Sequence, residues 1–303
     1  MPSTRLALRQ TPCWRRLNVA DDIAPSRRAN KVADWIEVAA LARGSSIGSD
    51  ALHELGASVG YRTADIDVGL TTMSRRSSSM GKAYPFRVAN GAAALPDATN
   101  RVWTALLLMS SGSPLRRQMS MLEVSILLEL VTAEALKSLY GPGTSAMRFG
   151  WPSEVGRPQD FPAAIRWLAE QMKVRVGSAY RPPYAKDGGV DVVAWRPFPD
   201  GRSGFPVLLA QCTLERDFVH KAGDVDVRVW SGWLALDVDP STALALPEVV
   251  AAGEDWNALA ARTVVLDRIR LSSLLAGEEH DFPSLDVLIK WTAEQVEHLK
   301  EMA

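Results

Sequence analysis

KDGGVDVVAWRPFPDGRSGFPVLLAQCTL, residues 186–214, decides the reading of this chain. VDVVAWRPF is rich in Val and aromatic residues, and FPVLLAQCTL is continuous and apolar, so both read as strands. PDGRSG between them is turn chemistry, which predicts an antiparallel hairpin centred near Gly201. In that register Asp191 falls opposite Gln211, and Gln211 shares one strand face with Thr213. Two polar side chains would then face each other on otherwise apolar strands, which costs free energy unless something satisfies them.

Outward from the hairpin, SMLEVSILLELVTAEALKSLYGPG (120–143) predicts a long helix, closed by GPG and carrying Glu123, Glu129 and Glu134. FPAAIRWLAEQMKV predicts a second helix, with Pro162 in its first turn. ERDFVHKAGDVDVRVWSGWLAL reads as a loop running into a helix. TALALPEVV and TVVLDRIRL read as strands, with a helical turn at EDWNALAAR between them, and a terminal amphipathic helix follows at LDVLIKWTAEQVEHLKEMA. From residue 120 the order is helix, helix, strand, strand, helix, strand, strand, helix, which implies an α/β sandwich with a mixed sheet over residues 118–303. Residues 1–117 read as a mainly helical region of unassigned role. Helices are expected at ANKVADWIEVAALARG, SIGSDALHELG and RVWTALLLMSSGSP, and short extended pieces in YPFRVANGAAAL.

Composition sets the outer bounds. Of 303 residues, 47% are hydrophobic and 23% charged, the balance of a soluble globular protein. The formal net charge of −1 announces no nucleic-acid binder, but Arg5, Arg9, Arg15, Arg16, Arg27, Arg28 and Lys31 form a basic arm that either touches phosphates or is a solvated terminus. Cys13 and Cys212 have no metal-ligand spacing, which fits a reducing cytoplasm. No apolar run approaches the roughly 20 residues that span a bilayer, so no membrane is expected. His53, His220, His280 and His298 include no pair at ligand spacing. GSSIGSD lacks the lysine of a phosphate loop.

An Asp facing a Gln can hold a hard divalent cation, because magnesium prefers oxygen ligands and keeps several waters. Such an ion offsets charge on a phosphate and activates an attacking water, and an acid from the long helix could complete the set. The alternative is an Asp that caps a strand after a Gly-Gly turn and a Gln on a strand edge.

Asp187-Gly188-Gly189-Val190-Asp191 followed by Gln211-Cys212-Thr213 resembles the PD-(D/E)XK, or restriction-endonuclease-like, nuclease superfamily, nearest its Mrr-type branch. That branch has a DGG-x-D strand, then a strand ending Q-x-K, and a Glu about a dozen residues ahead of a helix-ending Gly, where this chain has Glu129. The resemblance covers roughly residues 120–275. It implies a restriction-endonuclease-like αβα fold and a Mg2+- or Mn2+-dependent endonuclease, with Asp191, Gln211 and Glu129 as metal ligands. DNA is the implied partner, with a homodimer for double-strand cuts. The chain, including VVLDRIRL, is also similar to bacterial proteins of phage-defence loci, which implies a restriction or anti-phage role with further subunits. Thr213 departs from the pattern, since it cannot carry charge to a phosphate. The superfamily relocates this lysine in some members, and Lys221 is the first substitute, then Arg216 and Lys186, which otherwise contact DNA or are surface charges. Arg268 and Arg270 are expected on one strand face, directed either to DNA phosphates or to solvent. If the site is degenerate, the domain binds DNA or a partner protein without cleaving.

Overall fold

The computed structural model describes residues 25–89, 91–94, 101–153, 156–178, 187–277 and 284–302. Lys186, Cys13, His280 and the arginines of the basic arm before residue 25 lie outside them. In chain order the elements are α1 (Pro25–Arg43), α2 (Ser49–Ser58), α3 (Thr63–Met80), β1 (Arg87–Ala89), β2 (Ala92–Ala94), α4 (Arg101–Met109), α5 (Met121–Tyr140), β3 (Ser145–Arg148), α6 (Phe161–Met172), β4 (Arg175–Val176), β5 (Val192–Trp195), β6 (Val207–Cys212), α7 (Val227–Trp233), β7 (Leu234–Ala235), β8 (Ser241–Ala245), α8 (Glu254–Ala260), β9 (Val264–Leu266), α9 (Arg268–Leu274) and α10 (Leu285–Glu301).

The centre is a mixed five-stranded sheet in the order β3-β5-β6-β8-β9. β3, β5 and β6 pair antiparallel, whereas β6, β8 and β9 run parallel. Alternation along the strands sends side chains to two faces. Val192, Ala194, Leu208, Ala210, Ala243 and Ala245 join one core with α5, and the small residues let that helix approach closely. Val193, Trp195, Val207 and Leu209 join a second core with α6 and α7. α5 is buried on most sides, as its near-continuous apolar sequence requires. Ser120 caps it by accepting a hydrogen bond from the Glu123 N–H, and Gly141 ends it at φ +78°.

The first core does not stop at residue 118. It runs from Val32 on α1 through Trp103 and Leu106 on α4 to Leu288 and Leu299 on α10. Inside it lies a charge-balanced cluster. Glu37 accepts hydrogen bonds from Arg76, Tyr84 and Trp103, while Asp34 accepts from Arg76 at 2.7 Å and from Arg268 at 2.5 Å.

The hairpin register is the expected one, with Val192 opposite Ala210. One local expectation is corrected, and two elements were not anticipated. TVVLDRIRL is a strand only to Leu266. Asp267 then caps a helix by accepting from the Arg270 N–H at 3.1 Å, so Arg268 and Arg270 lie on α9 and not on a strand face. Arg268 is fully buried and meets Asp34, out of reach of any phosphate, and Arg270 stacks over the Trp256 ring at 4.5 Å. α3 was not expected from its Ser- and Thr-rich sequence. Its hydroxyls at Thr71, Thr72, Ser74 and Ser78 bond back to carbonyls one turn earlier, and Gly69 lets it close onto Val32 and Ile36 of α1. β3 was also missed, because TSAMR has neither strand propensity nor alternation, and its pairing to β5 is a tertiary contact.

Asp65, at the start of α3, accepts two hydrogen bonds from Arg28, at 3.0 and 2.8 Å, and one from the Arg62 N–H at 2.9 Å. Burial pushes this carboxyl up, but these donors outweigh it and hold it at about 2. A depressed folded pKa contributes stability that is present above the unfolded value and lost as pH falls through the folded one. Asp65→Asn is expected to cost about 2 kcal/mol near neutral pH by urea titration, and the gap from wild type closes between about pH 4 and 2.

Candidate active site

The DGG turn is built for close packing. Gly188 and Gly189 adopt φ of +63° and +78°, and the Asp187 side chain accepts from the Gly189 N–H at 2.9 Å. A Cβ on Gly188 would stand 2.8 Å from the Trp233 ring, and Trp230 Nε1 donates to the Gly188 carbonyl at 3.1 Å. Asp191 follows, locked on three sides. Its N–H donates to Ala210 O (2.9 Å), its carbonyl accepts from Phe149 N and Gly150 N (2.6 and 2.9 Å), and its Oδ2 accepts from Cys212 N (2.7 Å). Burial pushes its carboxyl up to about 6. The Cys212 N–H pulls against this, Asp187 adds to it, and Arg148 and Lys221 oppose it.

Glu129, on α5, is buried and accepts from Arg148 Nε on β3 at 2.5 Å. Gly150 leaves room for it, since a Cβ there would sit 2.5 Å from Glu129 Oε2. Burial and then the Asp191 charge push Glu129 up to about 8, against the pull of Arg148. Two carboxyls on different elements are thus held near one another in a dry setting, an arrangement that added positive charge relieves.

Gln211, on β6, donates from Nε2 to Asp224 at 3.4 Å, while its buried Oε1 has no hydrogen-bond partner. An unsatisfied buried acceptor costs about 1–3 kcal/mol, so this oxygen suits a cation or a water bound to one. Lys221, in a short 3-10 helix over Val219–Gly223, pairs with Glu215 at 3.1 Å and Asp224 at 3.6 Å. The hydrogen bond to Glu215 raises it further above the ordinary lysine range. Thr213 is buried, and its hydroxyl accepts from the Glu215 N–H at 3.1 Å, so it shapes the turn after β6. A cleft of about 380 Å³ opens here, lined by Gln211, Thr213, Glu215 and Lys221 from the sheet side and by Arg116, Met121 and Ser125 from the α4–α5 side.

Asp191, Gln211, Glu129 and Lys221 therefore gather at one end of β5 and β6. Arg216 stands exposed in the loop after β6, and Arg268 and Arg270 lie elsewhere. Arg148 and Asp224 were missed, although an Arg within the otherwise apolar AMRF run was a usable signal. Among the described residues no three of His, Cys, Asp and Glu stand together as a metal cage. Asp191 with the orphaned Gln211 oxygen fits a hard cation that keeps most of its waters, whereas Glu129, engaged by Arg148, does not fit as a direct ligand.

No family model matches the chain, and no curated protein does. Among solved structures it is similar to the MspJI restriction endonuclease in complex with a 27-mer oligonucleotide, at 16% identity and a TM-score of 0.24, covering 59% of this chain and 38% of that one. The chain spans well under half the length of that protein, and a likeness this loose decides neither fold nor activity. No helix among the described residues is long and apolar enough to cross a membrane.

Proposed function

We propose that the chain is a metal-dependent DNA endonuclease, or the nuclease subunit of a restriction or anti-phage system, built on a restriction-endonuclease-like αβα sandwich. The observation that carries this is the unpaired, buried Gln211 carbonyl at the end of the hairpin that also holds the half-buried Asp191 carboxylate, beside an open cleft. These two oxygens would hold Mg2+ or Mn2+, which supplies charge neutralisation at the phosphate and a more acidic water. Arg148 fixes Glu129, so that carboxyl supports the site from behind. Lys221 keeps its proton at neutral pH and therefore serves as a fixed positive charge at the cleft, not as a base. Its neighbours Glu215 and Asp224 hold it in place.

Incubation of the full-length protein with supercoiled plasmid and Mg2+ or Mn2+ is expected to give nicked or linear DNA, and excess EDTA is expected to abolish it. Thr213 at the motif lysine position, with Lys221 engaged by two carboxylates, favours a second reading: a nuclease fold that binds DNA or a partner without cleaving it. Retarded but intact plasmid in both metals selects that reading.

A further inference from the structure

Arg116 lines the same cleft as Lys221 and comes from the loop between α4 and α5, not from the sheet. Its Nη2 donates to the Leu214 carbonyl at 3.0 Å, which holds it over the end of β6. Two residues beyond Leu214, in the loop after β6, stands the exposed Arg216, and Arg216 is near enough to Lys31 on α1 for their charges to repel. Among the described residues none of Arg116, Arg216 and Lys31 forms an ion pair with a carboxylate. Neighbouring cations do: Arg27 pairs with Asp255, Arg28 with Asp65 and Lys221 with Glu215. Burial, then Arg216 and Arg27, hold Lys31 below the ordinary lysine range. Burial lowers Arg116 as well, offset in part by Glu248. Among the described residues Lys31 and Arg216 repel each other with no salt bridge to relieve them, and Arg116 is half-buried with no carboxylate in salt-bridge contact, so each gains when an anion lies against it.

We propose that Arg116, Arg216 and Lys31 form a track for the sugar–phosphate backbone of DNA, running from the Asp191–Gln211 site across the end of β6 to α1. It rests on the reading of that site as a DNA phosphodiesterase. A row of separate cations suits a polymer with a charge at every nucleotide better than it suits one small anion. The helical region thereby grips the substrate that the sheet presents to the site.

The test is binding of a short fluorescent duplex to full-length Asp191→Asn protein, titrated with salt. Adding Arg116→Gln and Lys31→Gln is expected to weaken binding about tenfold and to reduce the slope of log K against log salt by roughly 2. Because Arg116 also tethers Leu214, the pair Arg216→Gln and Lys31→Gln, which removes no hydrogen bond among the described residues, is measured beside it and is expected to lower the slope equally. Arg166→Gln, exposed on α6, is expected to change neither quantity. Affinity and slope unchanged in both pairs, with the parent still binding, overturn the track and leave the cleavage reading standing. A parent that binds no duplex also overturns it, and if the wild type then fails to cleave plasmid, the site reading falls with it.

Discussion

Arg268→Ala is expected to lower stability by about 3–5 kcal/mol, the cost of stripping one partner from a buried ion pair, read as a drop in the urea midpoint at unchanged slope. Arg268 is fully buried, with its guanidinium over the Trp103 ring at 4.9 Å. Its Nη2 meets Asp34 at 2.5 Å and its Nη1 lies 3.9 Å from Glu37. With Arg76 it balances those two acids. Removing it leaves a surplus negative charge in the core and a space beside the indole. The paired change Arg268→Met with Asp34→Asn is expected to cost less than the sum of its two singles, since it removes both ends of one interaction. A double-mutant cycle reads this coupling directly. Simple additivity would mean that the pair is a bystander.

Asp191→Asn is expected to reduce metal-dependent cleavage about a thousandfold, equivalent to roughly 4 kcal/mol of transition-state stabilisation, while the fold stays as stable as wild type or becomes more so. The two outcomes separate because the carboxylate carries a cost. A folded pKa near 6 means that stability falls as pH rises from the unfolded value, about 4, through 6, and the ionised group remains a penalty above that. The amide keeps an oxygen that accepts from the Cys212 N–H, and it removes the charge. Activity is read by plasmid nicking under single-turnover conditions, stability by urea titration at about pH 7.5. If stability falls together with activity, Asp191 is a strand cap, and the site reading loses its central residue.

The hairpin was legible because its information is local. PDGRSG supplies the turn, β-rich flanks supply the strands, and the register places Asp191 across from Gln211 without any distant contact. α5 was legible for the same reason, with Ser120 at one end and Gly141 at the other. What escaped was whatever depends on a distant partner. β3 is a strand because β5 lies beside it, and Arg148 matters because Glu129 is buried next to it. α9 was read as strand because VVLDRIRL has β-branched residues and no visible break. The break is Asp267, whose capping role needs the N–H groups of Arg270 and, from another segment, Val250. Glu129 was placed by resemblance, and although the lone Arg in the apolar AMRF run hinted at a buried partner, nothing local said that the partner is Glu129. Lys221 reaches the cleft because the turn after β6 folds back, a path set by Thr213 and Glu215.

Arg268 finds its counter-ions on α1, far upstream in the chain, and the core around it is closed by α4 and α10. The helical half and the sheet half thus share one interior with no seam between them. They are one cooperative unit, and heating is expected to melt them together in a single calorimetric peak. A protein begun at residue 118 would lose both counter-ions of Arg268 together with the α1 and α4 surface that covers it, so the sheet half is not separable from what precedes it.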